Sequence, residues 1–115
     1  MMQARLSASL WVDALVRRAN VGAASAFVIS RGDAERGDVL IKVSTLNGQA
    51  RLYRPTIDQD GQRIFLDMMV QGIGPDEIDI DAYILRESAR DPDVWIVEIE
   101  DRDGRHFITE AVQDS

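Results

Sequence analysis

The chain has 115 residues, no cysteine and a single histidine, and it carries a formal net charge of −7 with a pI near 4.6. The lack of cysteine excludes disulfides, thiolate metal centres, iron–sulfur clusters and cysteine nucleophiles, and one histidine excludes a multi-histidine zinc site within the chain. The net negative charge argues against nucleic acid and anionic membranes as partners.

The length suits one domain spanning residues 1–115. No apolar run approaches the roughly 20 residues of a membrane span. The opening MMQARLSASLWVDALVRRAN lacks the apolar core of a signal peptide, so a cytoplasmic location is expected. The charge is unevenly divided. Residues 1–57 carry eight basic and four acidic side chains, whereas residues 58–115 carry five basic and sixteen acidic ones.

The first predicted element is a helix over Ser9 to Asn20, with Leu10, Trp11, Ala14, Leu15 and Arg18 on one stripe. Ser7 or Ser9 caps its start, and Trp11 is expected to seal it against a sheet. A strand over Ala24 to Ser30 follows, then the charged loop Arg31 to Asp38, which opens with Arg31-Gly32-Asp33. That tripeptide matches an adhesion motif, but it is short enough to arise by chance.

Val39 to Leu46 and Gln49 to Thr56 read as a hairpin around a two-residue Asn47-Gly48 turn. That turn sets Val43 opposite Leu52, Ile41 opposite Arg54 and Lys42 opposite Tyr53. Pro55 cannot donate to a ladder, so the second strand either ends near there or runs along an edge. Arg63 to Val70 reads as a strand apolar on both faces, and Pro75 to Arg90 as a second helix with an acidic start. Val94 to Glu100 and Arg105 to Glu110 are expected to form a hairpin around Asp103-Gly104, followed by a loose tail over 111–115.

The fold expected is α+β in the order α-β-β-β-β-α-β-β. It is a twisted, mostly antiparallel sheet of five or six strands with two helices on one face.

For chemistry, Glu98, Glu100 and Asp101 are candidate metal ligands, and His106 is the candidate acid or base. Lys42 is the only lysine and hence the only residue available to a Schiff-base mechanism. Asp58 and Asp60 before Gly61, and Asp101 and Asp103 before Gly104, echo calcium loops, but strands rather than helices flank them. No G-x-x-x-x-G-K-[ST], G-x-G-x-x-G or G-x-S-x-G motif occurs, so no nucleotide or other cofactor is implied. Arg5, Arg17, Arg18, Arg31, Arg36, Arg51 and Arg54 crowd the first half; for them to form a single-stranded nucleic-acid surface, Tyr53 and Phe65 are the aromatics that would have to interleave with them, and the net negative charge argues against it.

Three blocks, Leu10-Trp11-Val12 with Arg17-Arg18, the Arg31-Gly32-Asp33 loop, and Asp91-Pro92-Asp93 through Glu98-Ile99-Glu100-Asp101, carry a resemblance. Together they make the chain similar to a small alphaproteobacterial family catalogued as domain of unknown function 1491. The resemblance implies a bacterial source and brings no activity or catalytic residue with it.

The function expected is a non-enzymatic protein-binding or adaptor module, as a homodimer or with another protein. Phe65, Met69 and Trp95 are its expected apolar contact, and Arg17, Arg18, Arg31 and Arg36 its charged rim. The alternatives are a small metal-assisted hydrolase or phosphotransfer enzyme, and a small-ligand sensor.

Overall fold

The computed structural model describes residues 6–115. Arg5 of the arginine-rich half lies outside that range. The elements are α1 (Ala8–Val21), β1 (Ser25–Ser30), β2 (Val39–Ser44), β3 (Ala50–Ile57), β4 (Arg63–Asp67), a 3-10 turn (Met68–Gln71), α2 (Glu77–Arg90), β5 (Trp95–Glu100) and β6 (Val112–Gln113). The order is the one the sequence implies. The strands form one sheet, β1-β5-β2-β3-β4-β6. β1 pairs antiparallel with β5, β2 with β3 and β3 with β4, while β2–β5 and β4–β6 are parallel.

The helices lie on opposite faces of this sheet, not together on one. Val39, Ile41 and Val43 of β2, with Trp95, Val97 and Ile99 of β5, pack with Val12, Leu15 and Ala19 of α1. Leu40 and Ile96, which point the other way, pack with Leu52, Met68 and Ile80 of α2's side. All six residues of β2 are buried. A central pair of strands that is apolar on both faces needs cover on both, and each helix supplies one side.

The hairpin register differs by one residue from the expected one. The Thr45 N–H donates to the Gln49 carbonyl at 3.1 Å and closes a three-residue loop, Leu46-Asn47-Gly48. Leu46 and Gly48 have φ of 64° and 83°, and the Asn47 carboxamide oxygen accepts from the Gln49 N–H. The extra loop residue sets Val43 opposite Arg51, Lys42 opposite Leu52 and Ile41 opposite Tyr53. Leu52 therefore faces α2 and Tyr53 faces α1. Past Tyr53 the β2 ladder has ended, so Pro55 pairs only with β4 and no β2 rung is lost.

β4 stops at Asp67, short of the expected Val70. The Asp67 carboxylate accepts the Met69 N–H at 2.9 Å and caps the 3-10 turn, which ends at Gly72 in the left-handed region (φ 76°).

In α1 the buried line is Ala8, Val12, Leu15 and Ala19, rotated from the expected stripe, so that Leu10 is 58% exposed. Trp11 sits on the flank of that line and stacks on Phe65 with ring centroids 5.2 Å apart. Ser7 caps the helix by accepting from the Leu10 N–H.

The expected hairpin return after β5 does not form, because β1 and β2 already occupy both edges of β5. Residues 101–111 instead run across the α1 side of the sheet, where Phe107 and Ile108 join the α1 core. Phe107 has φ of 59°, and its carbonyl accepts two hydrogen bonds from Arg18, at 3.0 and 2.8 Å. Within the tail read as loose, Val112 and Gln113 pair with Phe65 and Leu66.

Candidate functional site

Lys42 lies in the central strand with 6% exposure, facing α2. The parallel β2–β5 register sets Glu98 beside it, and the first turns of α2 bring Glu77 and Asp81, four residues apart on one flank. Its Nζ lies 2.7 Å from Glu77, 2.7 Å from Asp81 and 3.3 Å from Glu98. Burial pulls the ammonium pKa down, but the hydrogen bonds to Asp81 and Glu77 and the charge of Glu98 outweigh it and hold the pKa above the ordinary lysine value. The three ion pairs tie α2 and β5 to the ammonium group of Lys42 in the central strand.

His106 is half-buried beside Tyr53, ring centroids 5.0 Å apart. Its Nδ1 accepts the Ile108 N–H at 2.9 Å, which puts the proton of the neutral ring on Nε2 and leaves no lone pair for base work. Burial holds the imidazole below its ordinary pKa, opposed by Asp67. Burial likewise pushes the Tyr53 hydroxyl up to about 12, helped by Asp67 and opposed by Arg51, which is ion-paired to Asp67 at 3.0 Å.

The three candidate metal ligands do not converge. Glu98 is engaged with Lys42, and Asp101 is held by the Arg105 side chain and backbone N–H at 2.8 to 3.0 Å. Glu100 is half-buried further along β5. Hydrogen bonds from Arg105 hold the Asp101 carboxyl below its usual pKa against the effect of burial. Among the described residues no group of three or more histidine or carboxylate side chains is arranged to hold a metal ion. Both calcium-like turns use their carboxylates for the backbone: Asp58 accepts from the N–H groups of Asp60 and Gln62, and Asp101 from that of Arg105.

Arg31-Gly32-Asp33 is a packing device. The Asp33 N–H donates to the Asp93 carbonyl, and the Asp33 carbonyl accepts the Trp95 indole N–H at 2.8 Å. The Asp33 carboxylate accepts the N–H groups of Glu35 and Arg36. The carbonyls of Glu35 and Ala34 in turn accept the N–H groups of Ala8 and Ser9, which are orphan donors of α1. Arg31 lies over Trp95, 4.8 Å from the ring centroid.

Trp95 and Phe65, expected at a contact surface, are core residues with 1% and 0% exposure, and Met69 is half-buried. Of the expected rim, Arg17 and Arg36 are exposed, Arg18 is half-buried and Arg31 caps Trp95. Arg51 pairs with Asp67 and Arg54 with Glu87, while Tyr53 and Phe65 are buried, so among the described residues no row of open aromatics runs between arginines.

Arg18 and Arg36 share a cleft of about 590 Å³ on the α1 side. Trp11, Ala14, Ile57, Arg63 and Glu110 also line it, and Glu110 accepts the Trp11 indole N–H at 2.7 Å. Periodicity within single elements could not find this cleft, because its walls come from α1, the Arg31 loop, the turn after β3 and the end of the crossing segment. Ile78, Ala82, Leu85 and Ala89 repeat at helical spacing, and the structure leaves all four exposed.

A mixed six-stranded sheet with one helix on each face defines a small α+β domain. The chain belongs to the DUF1491 family, described as "Protein of unknown function", which matches residues 6–109. It is similar to a DUF1491 family protein from Caulobacter crescentus CB15 in a crystal structure, at 47% identity and a TM-score of 0.87, covering 95% of this chain and 100% of that one. An NMR structure of a DUF1491 family protein from the same organism is 46% identical, with a TM-score of 0.84 over 96% and 99% of the two chains. The solution structure of protein Atu0922 from A. tumefaciens is 25% identical, with a TM-score of 0.77 over 96% and 98%. These relatives are alphaproteobacterial. No curated protein matches the chain. Among the described residues no helix is long and apolar enough to cross a membrane.

Proposed function

We propose that the protein is a non-enzymatic binding module of the bacterial cytoplasm, whose α1-side cleft docks an acidic segment of a partner protein. The observation that carries this reading is the cleft itself: about 590 Å³, with Trp11, Ala14 and Ile57 for apolar contact and three guanidinium groups, of Arg18, Arg36 and Arg63, against two carboxylates, Glu35 and Glu110, the latter engaged by the Trp11 indole. Arg18 commits its Nε and Nη2 to Phe107, which fixes the guanidinium in place and leaves further donors on its fork. Planar guanidinium groups suit carboxylates, and an apolar floor beside them suits a peptide that alternates acidic and apolar side chains. In the same molecule Lys42 and His106 are both engaged in the structure itself.

The test begins with capture of partners by the tagged full chain from an alphaproteobacterial lysate, followed by reconstitution from purified components. A purified partner should bind with an affinity that falls at high salt and falls about tenfold or more in Arg36→Glu, whose side chain is exposed. A partner that binds Arg36→Glu and Trp11→Ala as tightly as the parent chain would remove the cleft from the reading.

A further inference from the structure

α2 turns one face to the sheet through Ile80, Tyr83 and Ile84. At 3.6 residues per turn, the pole opposite Ile80 is Ile78, Ala82, Leu85 and Ala89. Ile78 is 76% exposed and Leu85 73%, and both alanines are exposed. A solvent-facing helix is normally polar on that side. Here the outward pole has no polar residue, and its spacing of four, three and four is that of a helix–helix seam, alternating large with small.

One flank of the seam carries Asp79 and Arg86, two turns apart and therefore about 10 Å from each other along the axis, too far to pair within the helix. The other flank carries Asp81, already bonded to Lys42, and Ser88.

We infer that α2 is a self-association surface, on which two copies of the chain pair their α2 helices antiparallel about a two-fold axis. Antiparallel pairing centred between Tyr83 and Ile84 sets Leu85 against Ala82 of the second copy and Ile78 against its Ala89. Each large side chain then meets a small one, and the seam closes evenly along its length. Parallel pairing would stack Leu85 on Leu85 and Ala82 on Ala82, which leaves gaps at the alanine layers. The antiparallel arrangement also brings Asp79 against Arg86 of the second copy, twice by symmetry, and it asks nothing of Asp81.

A 14-residue helix is about 21 Å long, so the contact is at the small end for specific interfaces and the dimer is a weak one. This surface lies on the other side of the sheet from the cleft, and its test does not depend on the cleft's role.

Sedimentation of the full chain across concentrations up to about 1 mM, at salt near 0.15 M, reads the association directly. The expected result is a monomer–dimer equilibrium that Leu85→Glu abolishes without changing the melting curve. Asp79→Arg sets like charges against Arg86 and weakens the dimer about tenfold. The double variant Asp79→Arg/Arg86→Asp restores the opposite-charge pairs and recovers the parental affinity. A chain still monomeric at about 1 mM overturns the inference. A dimer that survives Leu85→Glu overturns it in favour of another surface, and a double variant no tighter than Asp79→Arg overturns the antiparallel arrangement.

Discussion

Gly32 and Gly37 stand where an added Cβ would lie 2.1 and 2.2 Å from the Asp93 carbonyl oxygen, with the Trp95 ring close behind. Backbone freedom is not their reason for being glycine; close approach of the loop to the Asp93–Trp95 segment is. Gly37→Ala should destabilise the chain by about 2–3 kcal/mol, read as a lower urea midpoint at unchanged slope. Asp33→Ala, which removes two side-chain hydrogen bonds to the backbone, should cost about 1 kcal/mol.

Tyr53 gives a pH signature. Its hydroxyl is raised to about 12 in the folded chain, from about 10 in the unfolded one, so between those values the unfolded state has lost a proton that the native state keeps. Stability should therefore be full below pH ~10 and fall as pH rises toward 12, by an amount of order 2 kcal/mol. The raised pKa of Lys42 acts in the same alkaline direction. Urea midpoints of the parent chain and of Tyr53→Phe across that window check the assignment: the variant should lose the tyrosine share of the decline and keep the rest.

At the scale of elements, α2 has two apolar faces with different consequences. Ile80→Ala empties a fully buried position and should cost about 2–4 kcal/mol, whereas Leu85→Ala in dilute monomer should stay within about 0.5 kcal/mol of the parent, both read by urea unfolding. The segment that crosses α1 depends on Arg18, whose side chain holds the carbonyl of a residue in the left-handed region. Arg18→Ala should cost about 1.5–3 kcal/mol. It should also speed amide exchange at Phe65, whose N–H donates to the Ala111 carbonyl, before the centre of the sheet is affected.

Much of this element map was legible in the residues. Ser7 before the α1 stripe, Asn47-Gly48 between two β-rich runs and Pro92 after α2 mark real boundaries. What failed did so for identifiable reasons. Leu52 and Tyr53 can each be buried, so alternation alone did not choose the β3 register, and one extra loop residue at Leu46 did. The end of β4 was missed because Met68 to Val70 is as apolar as a strand, while its conformation is set by the Asp67 cap. Of the four arginines expected at a charged rim, Arg18 and Arg36 line one cleft only because the Arg31 loop docks on the start of α1, a placement that no local signal carries, and Arg17 and Arg31 do not line it.

For the whole molecule, the two cores share β2 and β5, so neither is expected to melt alone. Both tryptophans belong to the α1-side core, Trp95 within it and Trp11 packed against it. Tryptophan fluorescence therefore reports one face and far-UV circular dichroism reports both. Coincident urea transitions by the two probes are expected for the parent and for Ile80→Ala, and separated transitions would mean that the faces unfold independently. The strand order itself could not be read from local signals, because β5 is flanked by strands 51 or more residues before it in sequence, and nothing in the run Trp95–Glu100 names those neighbours.

That order has a consequence in time. β5 is inserted between β1 and β2, yet it is made after both of them and after the whole β2–β3–β4 meander. At about 5–20 residues per second, roughly three to ten seconds of synthesis separate β2 from β5. During that interval Ser-Ala-Phe-Val-Ile-Ser and Val-Leu-Ile-Lys-Val-Ser face an empty slot with open backbone edges, one lysine between them and no proline. Open strand edges invite pairing with other chains, so crowded polysomes and fast overexpression should drive the nascent chain toward inclusion bodies, and slower translation through residues 45–94 should make matters worse rather than better.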